Sequence, residues 1–188
     1  INRKICFFKL PGGYVEGGGS LSPITATVTN YNGTITDDQV PIIRFDYTSR
    51  SKETQQFDLT KLKKGLYLLK ILDPARKFQV SFSLSVSCSL ITTPDHRFNG
   101  YSTYLSFYVP KGTKKFRVFK QIETILISAN GRIADFSKKG SEEKDVEVMP
   151  GEEGLWMIHF LNGQFHIEGI PPYLGIEPSQ MLIPKDTK

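Results

Sequence analysis

Cysteine is nearly missing, with only Cys6 and Cys88 in 188 residues. Two thiols so far apart cannot supply the paired spacing of a zinc site or a redox dithiol. Two readings stay open: one disulfide tying an N-terminal strand to the body, or two buried free thiols. Long apolar runs are missing as well. No stretch approaches the roughly 20 residues that a membrane-spanning helix needs, so no membrane span is expected. A long Leu-Glu-Lys periodicity is lacking and alanine is scarce, which removes any helix worth defending. Motifs for chemistry are lacking too. No Gly-x-Ser-x-Gly turn presents a nucleophile, and the triplet Gly17-Gly18-Gly19 has no Gly-Lys-Ser/Thr ending for a phosphate.

Charge of one sign is only slightly in excess, with 24 Lys and Arg against 19 Asp and Glu for a formal +5. The cations are scattered among acids, and their densest groups are Lys61, Lys63, Lys64 and Lys111, Lys114, Lys115, Arg117, Lys120. A plain solvated face is expected there, and no nucleic-acid partner. Lysine-rich edges also discourage strand-to-strand aggregation.

What the chain does have is strand-forming residues and turn residues. Thirteen Phe, eight Tyr and many β-branched residues favour strands, while 16 Gly and 11 Pro supply turns. The clearest stretch runs from Tyr101 to Leu174. Leu105, Phe107 and Val109 alternate onto one face, and Phe116 and Val118 answer them across Pro110-Lys111-Gly112-Thr113. Asn130-Gly131 and Asn162-Gly163 each separate two apolar segments, the signature of a two-residue type I′ hairpin. The second hairpin would pair Phe160 with Phe165, His159 with His166 and Ile158 with Ile167. It would also set Trp156 opposite Gly169, with Trp156 in the core. The only other histidine is His96, too distant in sequence to complete a metal site, so an exposed polar pair is expected and the metal ligand set is none.

Earlier in the chain, Asn2 to Leu10 reads as a strand and the segment to Ser20 as a glycine-rich linker or loop. Ile24 to Thr29 is a β-branched strand, ending in a turn in which Asn32-Gly33-Thr34 is simply part of the turn. In the strand at Val40 to Tyr47, Ile43, Phe45 and Tyr47 share one face against Ile42, Arg44 and Asp46. From Phe78 to Cys88 apolar residues alternate with an almost uniform serine face, which predicts a long antiparallel strand with one wet side. Phe82 then lies in the core and Ser83 in water. Glu142 to Val148 is another strand, Pro150 to Gly154 its exit turn, and Pro171-Pro172 closes the last one. Altogether this predicts an all-β chain of about ten short strands, a two-sheet antiparallel β-sandwich or jelly roll. The expected organisation is 1–22 as N-terminal strand and linker or loop, 23–178 as the β-sandwich domain, and 179–188 as a C-terminal tail. Because the chain opens at Ile1 without Met, a mature form or a piece of something larger is expected.

Two phrases carry a resemblance. Leu59-Thr60-Lys61-Leu62-Lys63-Lys64-Gly65-Leu66-Tyr67 resembles the Leu-x-x-Leu-x-x-Gly-x-Tyr corner of many secreted β-sandwich modules, in which the Tyr hydroxyl bonds nearby backbone. The ordered set Phe107 to Phe116, Asn130-Gly131-Arg132, Pro150-Gly151-Glu152, Trp156 and Gly169-Ile170-Pro171-Pro172-Tyr173-Leu174 resembles the accessory β-sandwich domains of large secreted bacterial polysaccharide-degrading enzymes. It covers roughly the last half of the chain well, and Val40 to Leu90 loosely. The resemblance implies a non-catalytic module, secreted or on the cell surface, that binds polysaccharide or accompanies a neighbouring catalytic domain. It transfers no signature binding residue.

Sugar rings present apolar faces that aromatic rings meet cheaply, so the loop aromatics Tyr14, Tyr31, Tyr101 and Tyr104 are the candidate stacking residues. Asp37, Asp38, Glu152 and Glu153 are expected to be solvated turn acids; a structural calcium ion held by these loop acids is the alternative. No other cofactor is expected. A structural or protein-interaction domain of a surface or multi-enzyme assembly is the alternative function, with an assembly partner on a sheet face or edge. A polysaccharide lyase or hydrolase is a second alternative, since sandwich folds host both when a cleft collects charged residues.

Overall fold

A computed structural model describes residues 3–4, 24–32, 39–47, 62–63, 65–72, 86–94, 97–101, 104–121, 123–136, 140–159 and 161–183. The strands in chain order are β1 (Arg3–Lys4), β2 (Ile24–Asn30), β3 (Ile43–Tyr47), β4 (Tyr67–Leu72), β5 (Val86–Ser87), β6 (Leu90–Ile91), β7 (Arg97–Tyr101), β8 (Leu105–Val109), β9 (Lys115–Lys120), β10 (Thr124–Ile127), β11 (Ile133–Phe136), β12 (Glu142–Glu147), β13 (Gly154–His159), β14 (Leu161–Glu168) and β15 (Tyr173–Leu174). The protein is all-β, and the sole helical element among the described residues is the 3-10 turn Pro178–Gln180. Fifteen described strands exceed the expected ten, and they fall into five sheets: two of four strands, the three-stranded β3-β2-β4, and the two-stranded β1-β5 and β15-β6.

Eight strands form a nested set. β10 pairs with β11, β9 with β12, β8 with β13, and β7 with β14, all antiparallel. From β7 to β14 the chain is therefore one long hairpin whose tip lies between Ile127 and Ile133. Two more pairings, β9 with β14 and β10 with β13, roll that ribbon into the four-stranded sheets β11-β10-β13-β8 and β12-β9-β14-β7. Rolling places consecutive strands in different sheets everywhere except at the tip.

This wrapping corrects two expected hairpins. Pro110 to Thr113 does make a tight turn, with Thr113 N–H donating to Pro110 O at 3.2 Å and Gly112 at φ 83°. Yet β8 and β9 belong to different sheets, so Phe116 meets Phe107 across the core and not along a ladder, and Val118 joins the same core cluster. Asn162-Gly163 lies inside β14, where the register against β7 shifts between Leu161 and Gly163. Gly163 adopts φ 76°, and Gln121 Oε1 lies 2.8 Å from where its Cβ would stand. The left-handed glycine serves a bulge beside a close neighbour, not a hairpin turn. The pairings of His159 with His166, Ile158 with Ile167 and Trp156 with Gly169 therefore do not form. Trp156 stands opposite Phe107, and His166 opposite Phe119.

The Asn130-Gly131 hairpin does form, with a longer loop than a two-residue turn. Ser128 N–H donates to Arg132 O at 2.9 Å, Gly131 N–H donates to Ser128 O at 2.9 Å, and Gly131 has φ 88°. A β-turn followed by a left-handed glycine is the three-residue hairpin loop with a bulge. Among other expectations, Met149-Pro150-Gly151-Glu152 turns with Glu152 N–H on Met149 O at 3.0 Å and Gly151 at φ 83°. Proline then glycine at the two central positions is the type II arrangement.

One core runs through both four-stranded sheets and into β2 and β4. Leu105, Phe107, Val109, Leu126, Trp156, Ile158 and Phe165 are fully buried, as inward alternation requires, and Ala26, Val28, Tyr67 and Leu69 join the same cluster. Phe107, Phe116 and Trp156 pack ring to ring at 5.3 to 5.8 Å. Lys120 is 1% exposed, against the solvated face expected for it. It continues the inward parity of Phe116 and Val118, and its ammonium lies 3.5 Å from Glu142.

The long serine-faced strand is interrupted where it is described, between β5 and β6. Ser89 is buried and its hydroxyl accepts from Leu182 N–H at 3.1 Å, so the serine face is dry at this end. Phe82 and Ser83 lie outside the described residues. Cys88 is a buried free thiol, which sets aside the disulfide reading; burial raises its pKa, and Cys6 lies outside the described residues.

Candidate functional site

β2, β3 and the corner before β4 build an open groove of about 580 Å³ lined by Asn30, Tyr31, Ile42, Leu62, Lys63, Gly65, Leu66 and Tyr67. Its floor is the tyrosine corner. Tyr67 is buried and its hydroxyl donates to Lys63 O at 2.7 Å, as the Leu-x-x-Leu-x-x-Gly-x-Tyr phrase predicts. Gly65 faces that ring at 3.5 Å, ordinary contact for the Cβ it lacks. Leu62 packs on the core; Leu59 lies outside the described residues.

Main-chain bonds hold the walls in place. Tyr31 N–H donates to Leu66 O at 3.0 Å and Ile42 N–H to Val28 O at 2.7 Å. The Tyr31 ring rests on the small cluster of Leu68, Ile91 and Leu182, and its hydroxyl lies 3.5 Å from that of Tyr173. Ile42 and Leu66 are 47% and 43% exposed, with Val40 at 85% beside them. The groove thus offers apolar walls, a half-buried tyrosine and polar groups from Asn30 and Lys63, a mixture suited to a ligand with both apolar and hydroxyl faces. Ile42 carried a signal in the sequence: it shares the water-facing side of its strand with Arg44 and Asp46, which pair at 2.9 Å. Tyr173, whose hydroxyl approaches that of Tyr31, carried none, because 142 positions of chain separate the two.

A second exposed aromatic lies on the eight-strand unit. The rings of Tyr104 and His159 stack at 4.2 Å and 13°, and Tyr104 keeps 52% of its surface in solvent. Tyr31 follows β2 and Tyr104 precedes β8, strands of separate sheets. Tyr101 belongs to β7 opposite Leu161, and Tyr14 lies outside the described residues, as do Asp37 and Asp38.

Glu152 and Glu153 serve the turn between β12 and β13. Glu152 is 1% exposed and takes Arg132 in two bonds, Nε to Oε1 at 2.6 Å and Nη2 to Oε2 at 2.7 Å. Met149 N–H adds a third bond to Oε2 at 3.0 Å. The guanidinium first, then this main-chain donor and Ser128, outweigh burial and hold the carboxyl at about 2. Glu152 O accepts from Trp156 Nε1–H at 2.6 Å, and the Arg132 guanidinium stands 5.9 Å from the Trp156 ring centroid. Glu153 Oε2 accepts from Gly151 N–H at 3.2 Å. Among the described residues no group of three or more His, Cys, Asp or Glu gathers as a metal site.

The exposed cations of β9 are answered by acids on β12. Arg117 meets Asp145 at 2.9 Å and Glu143 at 3.1 Å, and Lys115 meets Asp145 at 3.2 Å. Hydrogen bonds from Arg117 and Lys115 lower the pKa of Asp145. No described helix is long and apolar enough to cross a membrane. No family model, no curated protein and no solved structure matches this chain.

Proposed function

We propose that this chain is a non-catalytic carbohydrate-binding or accessory β-sandwich module of a larger secreted bacterial protein, and that the Tyr31 groove takes the glycan. The nested order of β7 to β14 supports a jelly-roll sandwich, in which eight strands wrap as two sheets. The observation that carries the binding reading is the groove itself: a half-buried tyrosine and exposed Ile42 and Leu66 around about 580 Å³, with Asn30 and Lys63 as polar groups. An apolar wall meets the C–H face of a sugar ring while polar groups at the rim meet its hydroxyls. The stacked Tyr104 is the second platform on which a longer chain would rest.

Affinity electrophoresis through gels cast with a panel of soluble neutral and acidic polysaccharides tests the reading. Retardation by at least one glycan, abolished in Tyr31→Ala and weakened in Tyr104→Ala, is the expected result. Mobility unchanged by every glycan, or retardation indifferent to Tyr31→Ala, overturns the groove as a glycan site. Assembly as a structural or protein-interaction domain is favoured by a different observation, the exposed Ile133 and Met157 on the sheet β11-β10-β13-β8.

A further inference from the structure

We propose that the polysaccharide taken by the Tyr31 groove is acidic, with its carboxylate or sulfate held by Lys63 and an apolar face of the sugar resting on Ile42 and Leu66. The assignment rests on that groove being a glycan site and adds the class of glycan. Of the eight residues lining the groove one is charged, and it is a cation. Lys63 is exposed, and none of the ion pairs among the described residues involves it. Other exposed cations are answered: Arg44 by Asp46, Arg117 by Asp145 and Glu143, and Lys115 by Asp145. An ammonium at the rim of an apolar groove, with no acid among the groove's lining residues, sets up a positive potential that complements an anionic ligand and adds nothing for a neutral one.

The strands that build the groove supply no competing acid. β2, β3 and β4 hold a single carboxylate, Asp46, against the cations Arg44 and Lys70. Asp46 lies four positions along the chain from Ile42, about 13 Å at roughly 3.3 Å per residue of extended strand. Its oxygens are already taken: Arg44 donates to both at 2.9 and 3.1 Å, and the Thr25 hydroxyl donates to Oδ1 at 2.8 Å. The backbone bearing Lys63 is held to the floor by the Tyr67 hydroxyl, which donates to Lys63 O at 2.7 Å. The opposite wall is tied to the same corner, since Tyr31 N–H donates to Leu66 O at 3.0 Å. Cation and apolar walls therefore keep a fixed spacing, with the exposed Asn30 amide available to ring hydroxyls. A lysine ammonium is a compact point charge without the planar fork of a guanidinium, so a uronate and a sulfate ester present it with the same chemistry.

Affinity electrophoresis of the full chain in matched gels is the test: polygalacturonate against its methyl-esterified form, and a sulfated galactan against the desulfated one. Wild type is expected to be retarded more by the acidic member of at least one pair, and Lys63→Gln to raise the apparent dissociation constant there about two- to fivefold, the range of one exposed charge pair. Lys111→Gln removes the same charge from the exposed turn between β8 and β9 and is expected to match wild type, which separates recognition in the groove from the pull of a formal +5 on any polyanion. A preference confined to the first pair supports the proposal with a uronate, and one confined to the second supports it with a sulfate ester. Equal losses in Lys63→Gln and Lys111→Gln overturn the proposal. So does Tyr31-dependent retardation that is equal within both pairs, an outcome that leaves the groove standing as a site for neutral glycans. Retardation indifferent to Tyr31→Ala in every gel overturns the groove itself, and the acidic assignment with it.

Discussion

Arg132 and Glu152 fasten the tip of the long hairpin to the turn between β12 and β13 through two bonds of 2.6 and 2.7 Å. The guanidinium also donates to Glu147 O at 2.9 Å, so one side chain ties three segments together. Arg132→Ala leaves an ionised carboxylate buried without its counter-charge. Because Arg132 itself is 38% exposed, water answers part of the loss, and a cost of about 2–3 kcal/mol is expected in urea denaturation. A change below about 0.5 kcal/mol, the level of an ordinary surface substitution, would show that the pair is no anchor.

The same pair sets an acid limit. Glu152 ionises at about 2 when folded, against 4.5 as its ordinary value. A folded pKa below the unfolded one stabilises the fold above the unfolded pKa, and this contribution fades as pH falls through about 4.5 toward about 2. Asp145 and Asp46, both lowered, act in the same direction. Stability measured from pH 6 to pH 2 is expected to drop more steeply in wild type than in Glu152→Gln; parallel curves would contradict this.

Tyr67→Phe removes the hydroxyl that donates to Lys63 O and leaves the buried ring in place. A loss of about 1 kcal/mol is expected, the usual net value of one hydrogen bond. Since Lys63 and Gly65 line the groove, glycan retardation should weaken alongside. Full stability in thermal melts together with unchanged retardation would count against the corner as the groove's support.

Gly175 adjoins Met181, whose Cβ and Cγ both lie 2.9 Å from where an alanine Cβ would stand. Gly175→Ala therefore forces apart Met181 and the bridge to Ser106, at an expected cost of about 1–3 kcal/mol. Limited proteolysis should then cut near Leu182 sooner than in wild type. Equal cleavage rates would mean that the segment yields without strain.

Side-chain parity was legible in the sequence because a strand's two-residue period is a local property of the backbone. It placed Leu105, Phe107, Val109, Phe116 and Val118 inward, and all are buried. The tyrosine corner was legible for a related reason: Leu62, Gly65 and Tyr67 lie within one short reach of chain and need no distant partner. The charge of Lys120 argued for water, yet the residue is buried, and only the fold supplied Glu142 at 3.5 Å. Strand partners were another matter. A turn such as Pro110 to Thr113 reverses the chain equally well within a sheet or across the core, and Asn162-Gly163 serves a bulge as readily as a hairpin. Which outcome prevails depends on burying both apolar faces of the rolled ribbon at once, a condition on residues dozens of positions apart. Tertiary packing accordingly separated His159 from His166, joined Tyr31 to Tyr173, and brought Arg132 to Glu152.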